Sequence, residues 1–257
     1  MPSKPINFGP SQKSGDEQLA GASPLAVNVV VDGAGTVRRR PGVQAYDGAP
    51  TTVIDSNGIY GLHMTNGGDL YAVAGPGAPR NLYRVKTTGT LSLGAGGNST
   101  DVGGSLRPVF AETEALLVIA AGGPPQKVDL ATYASSRLGG DPPEASHVAA
   151  ISLRLTLNDM VVDRSKVRYS AIATGTLDYS GHEDWSLGGL GLAGFFSAEA
   201  RPDPIRTLHE NTNELFVHGT TNVQIFVADG QLVFAPASTR EYGCIAPYSV
   251  IKVDQAF

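Results

Sequence analysis

The sequence predicts an all-β protein, a β-propeller of about four blade-like units with an extended N-terminal arm, and three observations carry that expectation. The 257 residues include 32 glycines and 17 prolines without a G-X-Y period, a punctuation that suits short strands and tight turns and that long helices do not tolerate. Four times an apolar run meets a short Gly/Pro/Asp turn and then a second strand. The spacing between these pairs is roughly 40–55 residues, the range of four-stranded propeller blades. A sandwich or barrel with irregular hairpins is the competing architecture.

In chain order, residues 1–24 are rich in Pro, Ser and Gly and read as the arm, with Ile6, Phe8 and Leu19 as apolar anchors along it. Residues 25–257 read as the propeller-like domain. Within it Leu25–Val31 is strongly β, Asp32-Gly33-Ala34-Gly35 is a hairpin signal, and Thr36–Arg40 is the returning strand, stopped by Pro41-Gly42. The four units follow. Asp69–Ala74 turns through Gly75–Pro79 into Leu82–Lys86, and Ala115–Ala121 turns through Gly122–Pro125 into Gln126–Leu130. Arg154–Val162 turns through Asp163–Ser165 into Lys166–Ala171, and Glu214–His218 turns through Gly219–Asn222 into Val223–Ala228. Period-two alternation places Leu70, Val73, Leu117, Ile119, Leu155, Leu157, Phe216 and Ile225 between sheets. A last β run, Ile245–Val253, ends the chain as an edge that demands a partner or further blades, since propellers close with about 4–8.

Composition bounds the function. A net charge of −5 argues against affinity for nucleic acid through phosphate neutralisation, which needs clustered cations. The single Cys244 leaves no intrachain disulfide framework. No apolar run reaches the ~18 residues of a membrane helix, and Met1–Gln18 lacks an apolar signal core.

Several motifs match catalytic patterns by letters alone. Gly189-x-Gly191-x-x-Gly194 fits the dinucleotide fingerprint, but Arg201-Pro202-Asp203-Pro204 soon after prevents a helix of useful length. His63, His147, His182, His209 and His218 never fall at metal-ligand spacing, and His182-Glu183-Asp184 would alternate faces on a strand. Asp159, Asp163 and Asp178 are the carboxylates a glycosidase would draw on. With only Trp185, the repeated Trp boxes of propeller sialidases are missing. The sequence therefore predicts no enzyme, no catalytic or metal residue and no cofactor. Arg38-Arg39-Arg40 is the one dense basic run. It reads as a strand end split between two faces, or as an interface anchor.

The ordered set of motifs resembles the packaged-DNA stabilisation proteins, or tail hubs (nozzles), of short-tailed bacteriophages. It comprises LAVNVVVDGAGTVRRRPGV (Leu25–Val43), GGDLYAVAG with NLYRVK (Gly67–Gly75, Asn81–Lys86), and NDMVVDRSKVRYSAI with DYSGHEDWSLG (Asn158–Ile172, Asp178–Gly188). PDPIRTLHENTNELFVHGTTNVQIF (Pro202–Phe226) and REYGCIAPYSV (Arg240–Val250), ending in Gly-Cys-x-x-Pro-x-Ser, complete it. Gln224 departs from the pattern, which has Glu before the aromatic. The family's members run well past Phe257.

That resemblance implies a structural virion protein, assembled in the host cytoplasm, that forms a ring with itself, expected as a hexamer. The ring would extend the DNA channel below the portal and adaptor proteins, help retain the packaged genome, and dock a tail needle, fibres or spikes. DNA would be a passing or retained substrate, no membrane would be engaged in the virion, and an acidic lumen would let DNA slide. Ile6, Phe8, Leu19, Arg38, Arg39 and Arg40 are the expected interface residues. The alternative is a propeller that binds or processes glycans, which would need a concave site with carboxylates, Arg and stacking aromatics.

Overall fold

A computed structural model describes residues 58–75, 77, 80–86, 89–92, 102–173, 180–187, 193–198, 203–228 and 233–250, with backbone only at 86 and 89–92. Upstream it describes the backbone of two short strands, β1 (Val29–Val31) and β2 (Val37–Arg39), paired antiparallel with Val31 opposite Val37. The chain divides into two compact units, Met1–Pro50 and Thr51–Phe257. The hairpin is the described part of the first.

The second unit is built from four antiparallel sheets of four strands, each a simple meander. The first blade is β3 (Ile59–Met64), β4 (Leu70–Ala74), β5 (Asn81–Lys86) and β6 (Gly89–Ser92). The second is β7 (Val109–Glu112), β8 (Leu116–Ala120), β9 (Gln126–Asp129) and β10 (Ser135–Arg137). The third is β11 (Val148–Ile151), β12 (Arg154–Asn158), β13 (Lys166–Tyr169) and β14 (Gly194–Ser197). The fourth is β15 (Thr207–Asn211), β16 (Glu214–His218), β17 (Val223–Val227) and β18 (Ala235–Arg240). Among the described residues the only helical element is a single 3-10 turn, Ser180–Glu183. β11 touches β7 and β15, so the first strands of successive blades converge while the later strands splay outward. This is the radial order of a β-propeller.

Each strand–turn–strand unit read from the sequence is the central pair of a blade. Central strands are buried on both faces, so they carry nearly unbroken apolar runs. β8 shows the rule most fully. Leu116, Val118 and Ala120 pack with Val148, Leu155, Leu157 and Trp185 of the third blade. Leu117, Ile119 and Ala121 pack with Tyr71, Val73 and Leu82 of the first. A third cluster joins Ala149, Ile151 and Val167 to Leu208, Leu215, Val217 and Phe226 of the fourth blade.

Val73, Leu117, Ile119, Leu155 and Leu157 are fully buried, as their alternation predicts. Leu70, Phe216 and Ile225 are only half-buried. In the fourth blade the face turned to the third carries Leu215, Val217 and Phe226, so Phe216 and Ile225, opposite one another in the register, lie on the outer flank. Strand ends also differ. β12 stops at Asn158 because Asp159 folds back to accept the N–H groups of Val161 and Val162 at 3.0 and 2.8 Å. The strand expected from Ile245 does not form over its described part, Ile245–Val250, which is turn and irregular backbone.

Burial of this kind fixes an expected stability pattern. Leu117→Ala removes a leucine sealed between two blades and should cost about 2–5 kcal/mol, whereas Ile225→Ala on the half-open flank should cost less than half as much. Urea denaturation of the two variants measures the difference, and equal losses would contradict the flank assignment.

Candidate functional site

In a four-stranded meander the first-to-second and third-to-fourth connections emerge at one end, and the remaining connections at the other. The two ends of this propeller are chemically different. At the first end lies a cavity of about 860 Å³. It is walled by the β3–β4 turn (Thr65–Asp69), the β7–β8 turn (Glu112–Ala115), Tyr133 after β9, the β11–β12 turn (Ile151–Arg154) and His182 of the 3-10 turn.

Its carboxylates differ in what they already hold. Asp69 accepts from Arg84 at 2.6 and 3.0 Å, and the Arg84 guanidinium also lies 3.3 Å over the Tyr133 ring. Glu112 takes the Asn66 N–H on both oxygens, at 3.0 and 3.1 Å, and meets His63 Nε2 at 3.3 Å. Glu114 is exposed. Arg154 is buried; it donates to the Ser170 carbonyl at 2.7 Å and stands 5.5 Å over Tyr169. Tyr71, buried beside these charges, has its hydroxyl pushed up to about 12, first by burial and then by Asp69.

The opposite end carries a cap. After β18 the chain turns back, and the Cys244 N–H donates to the Gly219 carbonyl at 2.8 Å. A Cβ on Gly243 would sit 2.3 Å from the Thr220 backbone, so only glycine permits that approach. Tyr248 then stacks on His147 with ring centroids 5.3 Å apart, and Arg107 stands 5.6 Å from the Tyr248 ring. Asp203 braces the turn beneath, accepting from the Thr221 N–H and hydroxyl at 2.6 and 2.9 Å. Burial alone would raise the Asp203 pKa, but these donors hold it below the usual carboxylate range. Gln224, where the resemblance has Glu, is buried on the inner face of β17 beside Asn222, a position where a charge would be costly.

The other sequence candidates fall in scattered places. Ile6, Phe8, Leu19 and Arg40 lie outside the described residues, as does Asp178. Arg38 and Arg39 stand opposite Val30 and Val29 in the hairpin register. The triplet 182–184 is pulled three ways. His182 Nε2 meets the Leu153 carbonyl at 3.2 Å, Glu183 accepts from Lys127 Nζ at 2.7 Å, and Asp184 accepts from Ser186. Asp159 and Asp163 spend their oxygens on local turns. Among the described residues no cluster of three His, Cys, Asp or Glu side chains is arranged to hold a metal. Gly194 of the fingerprint opens strand β14, not a helix, and a Cβ there would strike the Tyr169 hydroxyl at 2.4 Å. Sequence reasoning missed the cavity, because its residues come from five separate turns.

No protein-family model and no curated protein matches the sequence. Many solved structures resemble it at low identity, among them the following three. Kluyveromyces lactis Hsv2 is 11% identical with a TM-score of 0.45, over 72% of this chain and 51% of that one. Virginiamycin B lyase from Staphylococcus aureus is 9% identical with a TM-score of 0.46, over 84% and 64%. Glutaminyl cyclase from Myxococcus xanthus is 13% identical with a TM-score of 0.39, over 67% of each. The chain thus spans between half and two thirds of the length of the first two. At these values the likenesses speak to no activity. The meander order and the radial packing define a β-propeller protein.

The cap generates a pH dependence. His147 is buried, and burial pushes its pKa down to about 4 from 6.5. As pH falls through 6.5 the unfolded chain takes up this proton while the folded chain does not until about 4, so stability is lost across that window. The full shift corresponds to on the order of 3 kcal/mol. His182 and His218 are lowered by burial in the same direction. Melting temperature should therefore drop between pH 6.5 and 4, and His147→Phe should flatten the drop; an unchanged slope would exclude His147 as its main source.

Proposed function

We propose that the protein is a non-enzymatic β-propeller subunit of a larger assembly, the tail hub of a short-tailed bacteriophage. Its role there is to extend the DNA channel below the portal and adaptor, help retain the genome and dock further tail components. The observation that supports a partner-bound role is the outer flank of each end blade. On the first blade Tyr60, Leu62 and Met64 are 37%, 56% and 50% exposed, and on the fourth Phe216 and Ile225 are half-buried. Apolar side chains on the central strands of the second blade are sealed between sheets, and exposed apolar faces like these mark interaction surfaces. The specific assembly rests on the ordered motifs. Within them Gly181, Gly219 and Gly243 stand where a Cβ would clash with neighbouring atoms, and Asp203 braces the turn at Thr221. The net charge of −5 suits a channel that DNA passes without being gripped.

Residues 1–24 and the run Arg38–Arg40 are the proposed contacts between neighbouring subunits and the adaptor. Deleting residues 2–24 should leave the melting temperature of the full chain within a few degrees while abolishing ring formation, read by mass photometry and electron microscopy with and without the portal and adaptor. A parent chain that remains a monomer in both conditions, or a deletion that assembles as well as the parent, would sink this reading.

A glycan-binding or glycan-processing propeller is the second reading, and the cavity favours it. Carboxylates, a buried arginine and Tyr133 meet there in one concave site, the combination such a protein requires. It alone of the two readings draws on the geometry of a pocket. Calorimetric titration with oligosaccharides should give saturable binding that Tyr133→Ala weakens at least tenfold. Absence of heat across a varied panel, together with no hydrolysis, would rule it out.

A further inference from the structure

We propose that Asn66-Gly67, in the turn between β3 and β4, is a self-modifying site at which the Asn66 amide leaves as ammonia and a carboxylate of aspartate or isoaspartate takes its place. The proposal goes beyond both readings above and depends on neither.

Such a reaction needs an asparagine whose amide is not held, a following backbone nitrogen free to attack it, and no side chain in the way. Thr65 and Asp69 close the turn. The Thr65 N–H donates to the Asp69 carbonyl at 2.9 Å, the Asp69 N–H to Thr65 Oγ1 at 3.0 Å, and the Gly68 N–H to the Thr65 carbonyl at 2.8 Å. Asn66 and Gly67 stand between these bonds and are exposed. Glu112 takes the backbone N–H of Asn66, while the Asn66 side-chain amide and the Gly67 N–H have no hydrogen-bond partner among the described residues. Glycine serves hairpin turns by adopting left-handed backbone, and Gly68 does so at φ 87°. Gly67 does not, and a Cβ there would find its nearest atom, Thr65 Oγ1, at 3.8 Å. The fold thus tolerates a side chain at 67, and its absence leaves the approach to Asn66 open.

No other asparagine among the described residues has this combination. Asn158 is buried, and its Oδ1 accepts the Ser146 and His147 N–H groups at 3.1 and 2.8 Å. Asn222 is buried and donates to Asp203. Asn81, Asn211 and Asn213 are exposed, but Leu82, Thr212 and Glu214 follow them with side chains that hinder attack.

The Gly67 nitrogen, deprotonated by hydroxide, attacks Asn66 Cγ. A bond from Gly67 N to Asn66 Cγ forms, the Cγ–Nδ2 bond breaks, and Nδ2 departs as ammonia with a proton from water. Water then opens the five-membered imide. Addition at Cγ gives aspartate; addition at the Asn66 backbone carbonyl gives isoaspartate, whose main chain runs through Cβ and Cγ. Nothing is oxidised or reduced, and water is the one co-reactant. Either product puts a negative charge on the residue whose N–H Glu112 accepts on both oxygens, at 3.0 and 3.1 Å. Glu112 ends β7 and Asn66 follows β3, so this clamp ties the second blade to the first. Like charges this close repel, and isoaspartate also lengthens the main chain by one carbon. Modification therefore loosens the clamp at the cavity, which Asn66 and Glu112 both line.

The test incubates the folded full chain in neutral and in mildly alkaline buffer. Peptide mapping with electron-transfer fragmentation then separates asparagine, aspartate and isoaspartate at residue 66 and resolves that residue from Asn57, which lies outside the described residues. Aspartate and isoaspartate should accumulate at 66, faster in the alkaline buffer because the attacking nitrogen is the deprotonated one. Asn81, Asn211 and Asn213 in the same sample should react at least tenfold more slowly. Gly67→Ala, where the added methyl meets no close atom, should slow residue 66 at least tenfold, and Asn66→Gln should abolish the products. Hydrogen exchange followed by NMR reads the clamp: the residue 66 N–H should lose protection at least fivefold in the modified parent and keep it in incubated Asn66→Gln. A parent that stays asparagine at 66, or a Gly67→Ala variant that reacts as fast as the parent, overturns the proposal. Unchanged protection in the modified parent overturns the loosening of the clamp while the modification site stands.

Discussion

Everything in the second unit depends on strands that are buried on both faces at once. β8 supplies its even-numbered side chains to the third blade and Leu117, Ile119 and Ala121 to the first, so a single strand glues three sheets. Each fully buried leucine or isoleucine is worth about 1.5–3 kcal/mol. Because the same strand serves two interfaces, a polar residue at any position along it would be stranded against one neighbour. The blades therefore cannot be tuned one at a time, and the functional groups are confined to the turns at the two ends.

That confinement explains how much of the molecule was legible in the sequence. Central pairs announce themselves: LYAVA, LLVIA, RLTLN and ELFVH are the inner strands, and the turns after them carry Gly, Pro or Asp. Edge strands do not. β10 reads Ser-Ser-Arg and β18 reads Ala-Pro-Ala-Ser-Thr-Arg, sequences half-open to water that any loop could share. The misplaced phase at Phe216 and Ile225 has the same origin. Alternation tells which residues share a face, but in an end blade only packing against the neighbour decides which face is inside. The cavity was illegible for a different reason: its acceptors sit on turns of three blades, and nothing in linear spacing links Thr65 to His182.

The last segment shows how a local β signal yields to a tertiary demand. CIAPYSV has the apolar content of a strand, yet Pro247 removes a ladder donor, and Ser249 turns back on the Ala246 carbonyl with both its N–H and hydroxyl, at 3.0 and 2.7 Å. The turn delivers Tyr248 onto His147 at the start of the third blade, within reach of Arg107 ahead of the second, while Cys244 is tied to the fourth. One short segment thus touches three blades that belong to three separate sheets. The core clusters connect blades only pairwise, and among the described residues none links the fourth to the first. A fan held by pairwise contacts alone is free to open by small rotations at each interface, whereas a cap crossing several blades near their first strands opposes that motion. The cap and the cavity at the other end thus share the second and third blades, the cap adding the fourth and the cavity the first.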